Sequence, residues 1–139
     1  IEKYISETGL LLEELPNLKI VSTGTAHDLI FDSTVVCSFA STTILEAALA
    51  GKPVVIPHFG EVEKPDFRGR VKLLSNYHLF DIAESSVTFR SKIEQRLKEP
   101  YVDPTIRKKQ IDLFELWVGP LDGSSLQSYV NELKMVVER

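Results

Sequence analysis

Residues 33–57 read STVVCSFASTTILEAALAGKPVVIP: a β-branched apolar run, a Ser-Thr-Thr turn, a Glu-bearing segment, Gly-Lys-Pro, and a second apolar run. The first run, 34–39, is β-branched or apolar apart from Ser38, the pattern of a strand covered on both faces. Ile44, Leu45, Ala48 and Leu49 then recur at helical spacing. Ser41 or Thr42 supplies an N-cap, and Gly51 stands where a helix stops in the left-handed conformation. Pro53 bars the helix from continuing and launches a second strand over 54–56. The stretch is one β-α-β unit, and a helix between two strands predicts that they pair in parallel.

Outward from this unit the same rhythm continues. Upstream, 2–15 reads as a helix whose apolar face carries Leu10, Leu11, Leu12 and Leu15, closed by Pro16-Asn17 before a short strand over 18–22. Thr23-Gly24-Thr25 is a loop, and 26–32 has room for about two helical turns capped by Thr25. Downstream, 57–70 is a Pro/Gly-punctuated loop, followed by a helical stretch at 71–75, a strand near 79–83 and a helix over 88–98. A turn at 101–104 leads into a helix over 105–118, which Gly119-Pro120 and Asp122-Gly123 break. The last helix starts at Ser124 or Ser125, with Leu126, Tyr129, Val130, Leu133, Val136 and Val137 on its apolar side. The expected fold is α/β, a Rossmann-like three-layer sandwich whose mainly parallel sheet has about four to six strands.

The chain has 139 residues, 43% of them apolar, which predicts a single domain spanning 1–139 with one core. Sixteen basic residues are dispersed among 20 acidic ones for a net charge of −4, so no nucleic-acid footprint is expected. The single cysteine, Cys37, lies inside an apolar run and reads as a core residue of a protein from a reducing compartment. Apolar runs fall short of the ~18 residues that span a bilayer, and no leader pattern opens the sequence, which predicts a soluble cytoplasmic protein. The chain opens at Ile1 within a helical pattern, so a domain of a longer protein is expected.

Ser38, Ser41, Thr42 and Thr43 fall at the carboxyl end of a strand, where open α/β sheets bind ligands. Hydroxyls at a helix start suit an anion, and simple capping is the alternative use for them. Neither GxGxxG nor GxxxxGK[ST] occurs, which argues against a dinucleotide fingerprint and a P-loop. Glu46, three residues beyond Thr43, either completes a capping box with it or accepts hydrogen bonds from a sugar cis-diol such as ribose. Phosphate donors and a diol acceptor a turn apart describe a nucleotide. His58 and the His27-Asp28 pair sit after strands and can line the cleft; Thr23, Gly24 and Thr25 can contact a base or form a plain turn. Lys64, Arg68, Arg70 and Lys72 make a positive patch that suits a phosphorylated ligand or merely solvates the loop. His78 reads as a surface or packed residue. No spacing of Asp, Glu and His suggests a metal site, no cofactor is expected, and the absence of GxSxG argues against a serine hydrolase.

The pattern STTILEAALAGKPVVIP resembles the C-terminal, nucleotide-binding half of GT-B glycosyltransferases and their relatives, including the UDP-GlcNAc 2-epimerases and enzymes of capsular or surface polysaccharide synthesis. The resemblance implies that Ser41, Thr42 and Thr43 face the diphosphate of a UDP- or CDP-linked sugar and that Glu46 binds its ribose. Glu63-Lys64-Pro65-Asp66 resembles the Glu-Arg-Pro-Glu stretch of the 2-epimerases, with Lys in place of Arg, and implies an epimerase as the alternative reaction. The Ser-Thr-Thr turn departs from the Gly-rich turn of several members. The resemblance further implies an N-terminal partner domain that holds the acceptor site, a fragment inactive alone, and peripheral membrane association of the full-length protein. It gives the last helix and Trp117 a role in contacting that partner domain; covering the sheet of their own domain is the alternative. A non-catalytic binding domain, in which the hydroxyl turn only caps its helix, is the remaining reading.

Overall fold

A computed structural model describes residues 16–21, 23–68 and 73–137. In chain order they form α1 (Ala26–Asp32), β1 (Val36–Cys37), α2 (Thr43–Leu49), β2 (Val54–Pro57), a 3-10 turn (Gly60–Glu63), α3 (Pro65–Arg68), a second 3-10 segment (Leu74–Leu79), β3 (Asp81–Ala83), α4 (Ser86–Lys98), α5 (Pro104–Trp117) and α6 (Ser125–Val137). The fold is mixed α/β. Among the described residues one sheet occurs, three parallel strands in the order β1-β2-β3. Val36 and Cys37 pair with Val54 and Val55, and Val55, Ile56 and Pro57 pair with Asp81, Ile82 and Ala83.

β2 is the centre of the molecule. Successive strand residues face opposite sides, and Val54, Val55 and Ile56 are all buried, so both faces of the strand are covered. Around it Ile30, Ile44, Leu45, Ala47, Tyr77, Leu79 and Leu113 form one apolar cluster. Full burial contributes roughly 1.5–3 kcal/mol for each large aliphatic side chain. α2 packs on β2 and against α5, while α4 packs on β2 and β3. Buried Gln110 on α5 donates from Nε2 to the Leu79 carbonyl at 2.7 Å, and Arg96 on α4 forks onto both oxygens of Asp81 at 2.6 and 3.2 Å. A planar guanidinium matches a carboxylate in this way, and it fixes α4 to the start of β3.

Helix boundaries follow local chemistry. Thr25 and Asp28 form a reciprocal capping box at the start of α1, and Ser85 with Thr88 does the same for α4. Gly51, at φ +73°, closes α2: its N–H reaches the Ala48 carbonyl and the Lys52 N–H reaches that of Ala47, each at 2.9 Å, the paired bonds of a glycine stop. The Lys52 side chain then donates to the carbonyls of Phe31 and Ser33, each at 2.8 Å, and so ties the end of α1 to the end of α2.

Several expectations are corrected. Residues 18–21 form no strand; Leu18, Ile20 and Val21 are exposed, without the burial that would hold an apolar run in a sheet. The strand expected over 34–39 is two residues long, and three strands stand among the described residues where four to six were expected. Cys37 is exposed rather than in the core, because among the described residues β1 is an edge strand whose Val36 face meets the apolar cluster while Cys37 opens onto a cleft beside α1. Crowding at the sulfur nevertheless pushes the thiol's pKa up, so it stays protonated near neutral pH. The loop over 57–70 contains a 3-10 turn and α3, and α4 starts at Ser86, behind its Ser85 cap and two residues before the expected 88. Helix 2–15, Ser22, Arg70 and residues 71–72 lie outside the described residues.

Candidate functional site

The β1 to α2 junction is built by three successive devices. Ser38 closes the β1 ladder, its N–H reaching the Val55 carbonyl at 3.4 Å. Ala40 then takes φ +50°, the one non-glycine residue with positive φ among the described residues, and turns the chain into the helix. Ser41 folds back on the first turn: its Oγ accepts the Thr43 N–H at 3.2 Å and lies 2.9 Å from the Thr43 hydroxyl. Thr42 occupies the cap position without a side-chain capping bond, and its carbonyl takes the N–H groups of Leu45 and Glu46. The amides of 43–46 are therefore committed within the turn, and α2 is only seven residues long. Donors to an anion would be hydroxyls here, with little help from the helix dipole.

These side chains do not line a single pocket. Ser41 and Thr42 open onto a cleft of about 290 Å³ completed by Leu45, Leu73, Trp117 and Val118. Glu46 opens onto another, of about 380 Å³, with His27, Phe31 and Phe114. Thr43 lines a third, beside Ser33 and Cys37. Consecutive helical positions point about 100° apart, so Leu45 and Glu46 face different clefts. The site residues wrap the first turn of α2 instead of converging on one cup.

Glu46 makes no capping bond to Thr43. Its carboxylate lies 3.6 Å from His27 Nε2 on α1, with the Glu46 side chain 28% exposed and that of His27 67%. Thr23 and Gly24 are exposed, Gly24 at φ +98°, and the Thr25 hydroxyl is engaged with Asp28 at 2.8 Å in the α1 cap. His58, immediately after β2, donates its backbone N–H to the Ala83 carbonyl at 2.7 Å and sets its ring edge-on to Tyr77, with centroids 5.5 Å apart. It is turned inward, beside a Tyr77 phenol whose pKa burial pushes up. Lys64 is exposed before Pro65, the first residue of α3, and Arg68 ends that helix. His78 is exposed.

Trp117, Leu73 and Phe31 enter these clefts without having been singled out for them in the sequence. Their apolar character signalled packing alone, and only the fold brings them beside the hydroxyl turn and Glu46. Among the described residues no group of three or more His, Cys, Asp or Glu is placed to hold a metal ion, and no helix is long and apolar enough to cross a membrane. The chain matches no protein family, no curated protein and no solved structure.

Proposed function

We propose that this chain is the sugar-nucleotide-binding domain of a GT-B-type glycosyltransferase of surface or capsular polysaccharide synthesis. The observation that carries the reading is the hydroxyl turn at the carboxyl end of β1, with Glu46 one turn further on, a carboxylate in an apolar cleft lined from α1, α2 and α5. In this reading the hydroxyls of Ser41, Thr42 and Thr43 meet the diphosphate of a UDP- or CDP-linked sugar, and Glu46 accepts from the ribose 2′- and 3′-hydroxyls. On the same reading the nucleotide crosses the first turn of α2, from the Ser41 and Thr42 cleft to that of Glu46. The three-strand sheet, with both faces of β2 covered, is compatible with a larger three-layer sandwich, and a partner domain supplies the acceptor site.

A second reading is favoured by one observation: the Ser41 hydroxyl already accepts the Thr43 N–H, as a purely capping residue would. The domain is then a non-catalytic module. Titration with UDP, CDP, GDP and CMP, followed by amide chemical shifts, separates the two. The nucleotide reading expects saturable binding near the millimolar range, shifts concentrated at 41–46, and about tenfold weaker binding for Glu46→Ala. Absence of saturation with every nucleotide, together with an indifferent Glu46→Ala variant, overturns it.

A further inference from the structure

Glu46 stands in a cleft whose remaining lining is apolar apart from His27: Ile30, Phe31, Leu49, Ala50 and Phe114. The pair itself meets water, His27 at 67% and Glu46 at 28% exposure, so the partner acts by direction and place more than by strength. The partner is the imidazole of His27, with Nε2 at 3.6 Å from Oε2, slightly beyond hydrogen-bond length. The adjacent Asp28 does not compete for the ring, since its carboxylate is held by the Thr25 hydroxyl and N–H. α1 itself is fixed at both ends, by that capping box at its start and by the Lys52 ammonium on the Phe31 and Ser33 carbonyls at its finish. His27 is thus held at a set place over the α2 carboxylate.

We infer that His27 is a positioning residue that orients the Glu46 carboxylate toward a ribose cis-diol, an inference that rests on the nucleotide reading above. A carboxylate binds a diol well when both oxygens face the two hydroxyls, and a side chain with three rotatable bonds needs a second contact to stay there. His27 engages Oε2 from the α1 side, and both oxygens keep lone pairs for the ligand. Its contribution is therefore discrimination in favour of ribose over a sugar lacking the 2′-hydroxyl. Contact with the base or the phosphates is no part of this role.

The test compares dissociation constants of UDP, CDP and GDP with those of their 2′-deoxy forms, on the full 139-residue chain. The wild-type chain should prefer the ribonucleotide by about tenfold; His27→Ala should cut that preference to about twofold, weakening the ribonucleotide more than its deoxy form. His27→Gln, whose amide can donate from a similar position, should restore most of the preference, an outcome that a general packing role does not produce. His27 is exposed, so thermal unfolding of both variants should match the wild type. A ribose preference that survives intact in His27→Ala overturns the role of His27 and leaves the nucleotide reading standing. Absence of nucleotide binding, or of any ribose preference, in the wild-type chain overturns the reading itself.

Discussion

Ala40 spends its conformational energy on the turn that presents Ser41 and Thr42. A left-handed backbone disfavours an L side chain by roughly 1–2 kcal/mol, and a glycine removes that cost while losing about 0.4–1 kcal/mol through the freer unfolded chain. Ala40→Gly should therefore stabilise the protein by about 0.5 kcal/mol, read as a higher urea midpoint at unchanged m-value. A lower midpoint would show that the turn does not hold Ala40 at φ +50° in solution. At this scale the sequence disclosed the chemistry of the site better than its geometry. The hydroxyls of 41–43 and the Glu46 carboxylate were legible from their place between an apolar run and a helix. The proximity of Glu46 to His27, 19 positions earlier, depends on how α1 docks on α2, which no local spacing encodes.

Among the helices, α5 shows most directly how one side chain sets a boundary. Asp103 Oδ1 accepts the N–H groups of Thr105 at 2.8 Å and Ile106 at 3.2 Å, with Pro104 preformed at the first helical position. Those backbone donors, Ile106 first and then Thr105, hold the Asp103 carboxyl below its ordinary pKa. A depressed folded-state pKa means that the stabilisation is complete above the unfolded value, about 3.9, and is lost as pH falls through the folded one. Asp103→Asn keeps a capping oxygen without the titration, so wild type minus variant stability should decline from about pH 5 downward and be flat above it. A difference independent of pH would mean that the carboxylate makes no charge-assisted cap. Legible caps and stops, at Thr25 and Gly51, made helices easier to place than strands, whereas the Ser85 cap went unread and left the start of α4 two residues late. Strand length is decided by neighbours: β1 keeps only the two residues that find partners in β2, although the apolar run that contains it is longer.

Across the whole molecule the clearest asymmetry lies between the packed centre and α6. Leu126, Tyr129 and Leu133 share one side of that helix and are 74%, 68% and 65% exposed, whereas Leu113 on α5 is 4% exposed. The turn leading into α6 is well tied, with the Ser124 N–H on Asp122 at 2.9 Å and the Leu121 N–H on Glu115 at 3.3 Å. Its apolar side is nevertheless left without a cover from the described sheet, so of the two roles weighed for the last helices, covering their own domain describes α5 and not α6. A helix of 13 residues gains little from propensity alone, and in most proteins its apolar face supplies the stability by packing. Among the described residues that face has almost no partner, so replacing Leu126 and Leu133 by Glu should change unfolding free energy by less than about 0.5 kcal/mol. Leu113→Ala, which empties a core position, should cost about 2–5 kcal/mol in the same urea experiment. If the double Glu variant instead loses stability on the scale of Leu113→Ala, the α6 face is buried in solution. Sedimentation of the wild-type chain then separates burial between copies, which changes mass with concentration, from burial within one chain, which does not.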